Sequence, residues 1–135
     1  MKKMRTLKTK DIHQEVVFKA APHDVYEALM DPKKHAAFTH STVTIERKIG
    51  GKVTAYDDYI DGENVELVPG EKIVQRWHAS DWPKGHYSLA TFVLKPHKRG
   101  TQLIFNQTGV PAEQYQDIFD GWHDHYWEPM RAILE

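Results

Sequence analysis

The chain has 135 residues, 40% of them hydrophobic and 27% charged, a length and balance suited to one folded unit and unlike disordered or collagen-like sequences. Eighteen Lys and Arg against nineteen Asp and Glu give a net charge of −1, so no overall field draws the chain to nucleic acid or to an anionic membrane. The absence of cysteine excludes disulfides, thiolate metal sites and cysteine nucleophiles, in keeping with a reducing compartment.

The N-terminal stretch carries the one basic cluster, Lys2, Lys3, Arg5, Lys8 and Lys10, and reads as a flexible tail over residues 1–10 ahead of a single domain over 11–135. It lacks the apolar run of a secretory signal, and nothing later approaches the roughly 18 apolar residues of a membrane span, so a cytoplasmic location is expected. From Asp11 to Ala20 the β-branched run Ile12, Val16, Val17 and Phe18 predicts a first strand. Pro22 and Asp24 then open a short helix carrying Val25, Ala28 and Leu29, with proline where a helix starts and an acid near the positive end of its dipole. Asp31-Pro32 stops that helix, and Pro32 to Phe38 predicts a further turn or two.

From Ser41 to Thr108 the sequence reads as a six-strand antiparallel meander over Thr42–Lys48, Lys52–Ile60, Asn64–Leu67, Lys72–Ala79, His86–Lys95 and Thr101–Thr108. The connectors are Gly50-Gly51, Asp61-Gly62, Pro69-Gly70, Asp81 to Gly85 and Pro96 to Gly100, each with Gly or Pro where the chain must reverse. Alternation places Phe92, Leu94, Leu103 and Phe105 on a core face, and Thr91, Val93, Gln102 and Ile104 on the other. After Pro111, the residues Tyr115, Ile118, Phe119, Trp122, Tyr126, Met130, Ile133 and Leu134 make a wide apolar stripe along one long helix, with a bend expected at Pro129. The fold class is therefore α+β: a curved antiparallel sheet of about seven strands, in the order β-α-α-β6-α, wrapped around a long C-terminal helix.

Several segments resemble the START-like helix-grip superfamily. Phe18 to Pro32 is similar to its opening strand and helix, Ile49-Gly50-Gly51 to its glycine pair, Val68 to Trp77 to its turn and tryptophan strand, and Gly100 to Phe105 to its Gly-Thr strand. Thr108 to Pro111 followed by Gly121-Trp122 resembles the ending of the Hsp90-ATPase-activator-homologue branch. The resemblance implies a hydrophobic cavity between sheet and helix. The aromatic residues on the elements it places there, Phe38, Tyr56, Tyr59, Trp77, Trp82, Phe92, Trp122 and Tyr126, with Gln107 as a polar group, are the candidate lining.

Nine histidines raise metal or acid-base chemistry, but His123 and His125 lie about 200 degrees apart on a helix, and no metal-ligand spacing occurs. His125 and Glu128 are spaced for a local pair. Next to Trp77, which the resemblance points inward, His78 is expected to be exposed or paired across strands. Nucleophile elbow, phosphate loop and dinucleotide fingerprint are all absent. The expectation is a non-enzymatic domain with no cofactor, binding a hydrophobic lipid- or polyketide-like small molecule. The competing readings are an interaction module for an Hsp90-type chaperone, linked to stress response, and a polyketide cyclase- or hydrolase-like enzyme.

Overall fold

In the computed structural model, which describes residues 8–135, β1 (Thr9–Phe18) is followed by α1 (Pro22–Met30) and α2 (Pro32–Thr39). Six further strands follow: β2 (Thr44–Ile45), β3 (Lys52–Ala55), β4 (Ile60–Val68), β5 (Lys72–Ala79), β6 (Ser88–His97) and β7 (Gly100–Pro111). The C-terminal helical segment comprises α3 (Tyr115–Trp122), a π turn over His123–Trp127, and α4 (Glu128–Leu134). One antiparallel seven-stranded sheet runs in the order β1-β7-β6-β5-β4-β3-β2, curved around the C-terminal segment.

Local chemistry sets the element boundaries. Pro22 opens α1, and the Asp31 carboxylate caps α2 by accepting from the backbone N–H groups of Lys33 and Lys34. Leu94 directs its N–H toward the Glu71 carbonyl at 2.8 Å. Pro96, two residues on, therefore has its missing N–H on that same side, beyond Val93, where β5 pairing has ended and no ladder bond is lost. Of the tail expected over residues 1–10, residues 1–7 lie outside the described part. Thr9 and Lys10 are strand, paired with Pro111 and Val110.

The meander differs from expectation at β3 and β4. The reversal expected at Asp61-Gly62 lies instead at Tyr56 to Tyr59, where Tyr56, Asp57 and Asp58 hold positive φ of 52°, 54° and 70° without any glycine. Gly62 sits within β4 opposite Trp77, where a Cβ would collide with the Arg76 carbonyl; its glycine marks close backbone approach rather than a turn. The strand expected over Thr42–Lys48 is reduced to Thr44–Ile45.

Alternation on β6 and β7 places Phe92, Leu94, Leu103 and Phe105 in the core. The helical segment packs onto them through Trp122, whose ring lies 4.3 Å from that of Phe105 and 5.8 Å from that of Phe92. The π turn has a specific packing result. Its i to i−5 hydrogen bonding, closed by Glu128 N–H to the His123 carbonyl, brings residues five apart onto one face. Trp127 therefore stacks on Trp122 at 5.5 Å and both are buried. The same offset pairs Glu128 with His123 at 3.3 Å, in place of the expected pairing with His125. The irregularity expected at Pro129 is thus a π turn immediately ahead of it.

Candidate functional site

Between the open end of the sheet and the helical segment lies a cavity of about 190 Å³. Trp77 and Ala79, two residues apart on β5, face it together, and the left-handed turn after β3 delivers Tyr56 and Tyr59 to its rim. From the other side Ile118, Gly121, Trp122 and Tyr126 close it, the gap at Gly121 leaving the space a side chain would take. Trp82 folds back from the loop after β5, its backbone N–H on the Ala79 carbonyl, and its indole N–H donates to Gln114 Oε1 at 2.9 Å. It is a buried wall, not a free surface aromatic.

Seven of the nine sequence candidates, Tyr56, Tyr59, Trp77, Trp82, Gln107, Trp122 and Tyr126, line this one cavity. Phe38 and Phe92 do not. Phe38 stacks on His35 at 4.9 Å, and Phe92 packs against Phe105 at 5.0 Å, both within the core. Ile60, Ala79, Ile118, Gly121 and the exposed Asp117 and His125 complete the lining and were not anticipated. Ala79 was readable, since it shares the inward face of β5 with Trp77, and so was Ile118, which lies four residues before Trp122 on the apolar stripe.

The buried polar atoms around the cavity form a nearly closed network. Trp122 Nε1 donates to Gln107 Oε1 at 2.8 Å, and Gln107 Nε2 donates to Ser88 Oγ at 2.8 Å. Trp77 Nε1 donates to Gln75 Oε1 at 2.8 Å, and Gln75 Nε2 to Asn64 Oδ1 at 3.0 Å. Behind the wall, His35 Nδ1–H donates to the Leu29 carbonyl at 3.0 Å, while its Nε2 accepts from the Tyr126 hydroxyl at 2.8 Å. Burial lowers the His35 pKa to about 4, so the ring is neutral at pH 7. At the rim the Tyr59 hydroxyl donates to Asp81 at 2.7 Å. The exception is the Tyr56 hydroxyl, the one buried side-chain polar atom without a partner among the described residues. Burial pushes its pKa up to about 12, which keeps it a neutral hydrogen-bonding group.

His78 is half-buried and donates from Nδ1 to the His86 carbonyl at 2.7 Å. On the outer face of the sheet, Arg76 lies 4.6 Å over the Tyr87 ring and is cross-strand neighbour to both Glu63 and Leu89. Tyr87 and Leu89 are each 39% exposed. Among the described residues no group of three or more His, Asp or Glu side chains is placed to hold a metal, and no helix is long and apolar enough to cross a membrane.

The model of the family described as activator of Hsp90 ATPase homolog 1-like protein matches residues 19–135. An activator of 90 kDa heat shock protein ATPase homolog from Dictyostelium discoideum is 36% identical over 121 residues, 89% of this chain and 31% of the relative. The homolog 1 activator from Homo sapiens is 30% identical over 117 residues, 87% of this chain and 35% of the relative. The chain thus spans about a third of the length of these two relatives. A solved structure of an Hsp90 activator from Plasmodium falciparum superposes with a TM-score of 0.83 at 23% identity, covering 93% of this chain and 95% of that one, and shows the same fold.

Proposed function

The chain belongs to the family of activator of Hsp90 ATPase homolog 1-like proteins, and from that membership we propose that it is a chaperone-associated interaction module of the cytoplasm, acting on an Hsp90-type partner. The observation that carries the reading is the likeness to curated activators along nearly the whole chain. The interior is in keeping with it. Trp77, Trp122, Tyr126 and Trp127 fill most of the space under the sheet, and the remaining 190 Å³ is below the roughly 300–1,000 Å³ of drug-sized ligand pockets. A domain filled in this way works mainly through its surface. The outer patch of Arg76, Tyr87 and Leu89 has the aromatic and arginine content of interface anchors.

Isothermal titration of the purified chain into an Hsp90, read beside the chaperone's ATP hydrolysis rate, tests this. Saturable heat and a changed rate are expected, and Tyr87→Ala is expected to weaken association about tenfold without altering the melting temperature. A flat titration together with an unchanged rate would sink the proposal.

A second reading, a small-molecule site in the residual cavity, is favoured by one specific observation: the space is lined by the rings of Trp77, Trp82, Trp122 and Tyr126.

A further inference from the structure

Strand β1 stands at the end of the sheet, with β7 on one side and no strand of this chain on the other among the described residues. The helical segment closes part of that open side. The Val17 carbonyl accepts from Arg131 at 2.9 Å, and the Lys19 N–H donates to the Glu135 carboxylate at 3.1 Å. Backbone groups of a strand turn to alternate sides, so His13 and Glu15 present theirs to the same open side as Val17. Among the described residues no hydrogen bond closes them there. A groove of about 410 Å³ runs along this edge, lined by Gln14, Glu15 and Val16 in succession. Successive strand residues point to opposite faces, so a space that touches all three lies beside the strand and not under one face of it. Phe119 and Trp127 supply the apolar part of its opposite wall.

Charge gives the groove a sign. Glu15, Asp120, Asp124 and Glu128 line it against one permanent cation, Arg131, and that guanidinium is already held by Val17, Glu128 and Glu135. From the open edge and this imbalance we infer that β1 takes an extended basic segment of a partner protein as an eighth strand of the sheet. The segment's backbone pairs with His13 and Glu15, and every second side chain, a lysine or arginine, enters the groove between β1 and the helical segment. The carboxylates decide the occupant. A second copy of this chain would bring its own Glu15 and groove acids against the same set, and an acidic segment would meet four carboxylates. Charges at an open edge keep like chains apart and admit one of opposite sign. The inference goes beyond the chaperone reading and does not depend on it, since it uses the sheet edge and not the outer patch around Tyr87.

The probes are three heptapeptides carrying a neutral dye: alternating lysine and valine, its glutamate counterpart, and the lysine peptide with every backbone N–H methylated. They are titrated at low ionic strength, where exposed charges are least screened, with fluorescence polarisation as the readout. The lysine peptide is expected to bind at least about tenfold tighter than the glutamate peptide, and methylation, which keeps the charge but removes the donors of the added strand, to cost about tenfold. His13→Pro removes an N–H that faces the open side, so no ladder bond is lost, and should weaken the lysine peptide to a similar extent. Asp120→Lys combined with Asp124→Lys, both at exposed positions, keeps the edge and reverses the groove. It should transfer the preference to the glutamate peptide with little change in melting temperature.

Failure of the lysine peptide to bind, or equal binding of the lysine and glutamate peptides, overturns the inference. If the methylated peptide binds as well as its parent, the contact is surface charge and not strand addition, and the inference falls too. Should circular dichroism show His13→Pro unfolded, the methylated peptide and the charge reversal decide alone: a lysine peptide indifferent to the reversal removes the groove as its site.

Discussion

His35 shows how one buried side chain ties stability to pH. Its ring bridges the end of α1 to the π turn through the Leu29 carbonyl and the Tyr126 hydroxyl, and burial lowers its pKa from 6.5 to about 4. Between those values the unfolded chain binds a proton that the folded chain does not, so stability rises with pH across the window and is lost as pH falls from 6.5 toward 4. The expected loss is on the order of 3 kcal/mol, read by urea denaturation at pH 7 and pH 4.5. In His35→Gln that part of the pH dependence should vanish. Trp122 is the complementary case, a large ring 3% exposed whose N–H satisfies Gln107. Trp122→Ala should cost at least about 3 to 5 kcal/mol, with Gln107 left short of a donor. A denaturation midpoint equal to the parent's would show that the ring does not hold helix to sheet.

At the scale of elements, what alternation and turn chemistry encode was legible, and what backbone strain encodes was not. The core faces of β6 and β7 follow from period-two patterning, because a register slip would turn Phe92 and Phe105 to solvent. The β3–β4 reversal escaped because its left-handed residues are Tyr56, Asp57 and Asp58 while the nearby glycine serves another purpose. That purpose can be tested: Gly62→Ala places a methyl against the Arg76 carbonyl and should destabilise by roughly 2 kcal/mol or more, a strain penalty that a thermal melt would show. The π turn was equally hidden, since an i, i+5 pairing of Trp122 with Trp127 has no place in a period of 3.6. Of the six helical residues in the cavity wall, Asp117, Ile118, Gly121 and His125 went unassigned, while Phe38 and Phe92, aromatic residues that a filled core uses equally, were assigned to the lining. Deleting Asp124, an exposed residue within the π turn, makes the two tryptophans an i, i+4 pair, which an α-helix also holds on one face, so the stack should survive removal of the extra residue. Stability close to the parent's is expected for the deletion, as for Asp124→Ala, in urea denaturation; a loss of several kcal/mol would show that the π turn itself, and not the shared face, holds the pair against the sheet.

Across the whole molecule the sheet and the C-terminal segment are joined by contacts distant in sequence. Trp127 Nε1 donates to Gln14 on β1 at 2.7 Å, and Arg131 donates to the Val17 carbonyl at 2.9 Å while lying over the Phe18 ring. Strands β4 to β7 are successive hairpins and can pair as soon as each is made, but β1 takes its place only beside β7, with partners such as His13 and Asn106 separated by 93 positions. Closing so long a loop must precede any return from the contacts it allows, which slows folding. During synthesis the first strand therefore waits with its apolar face uncovered until the last strand and the helical segment have emerged. A protein whose relatives are named for a chaperone thus has, in its own topology, an interval of exposure as it is made.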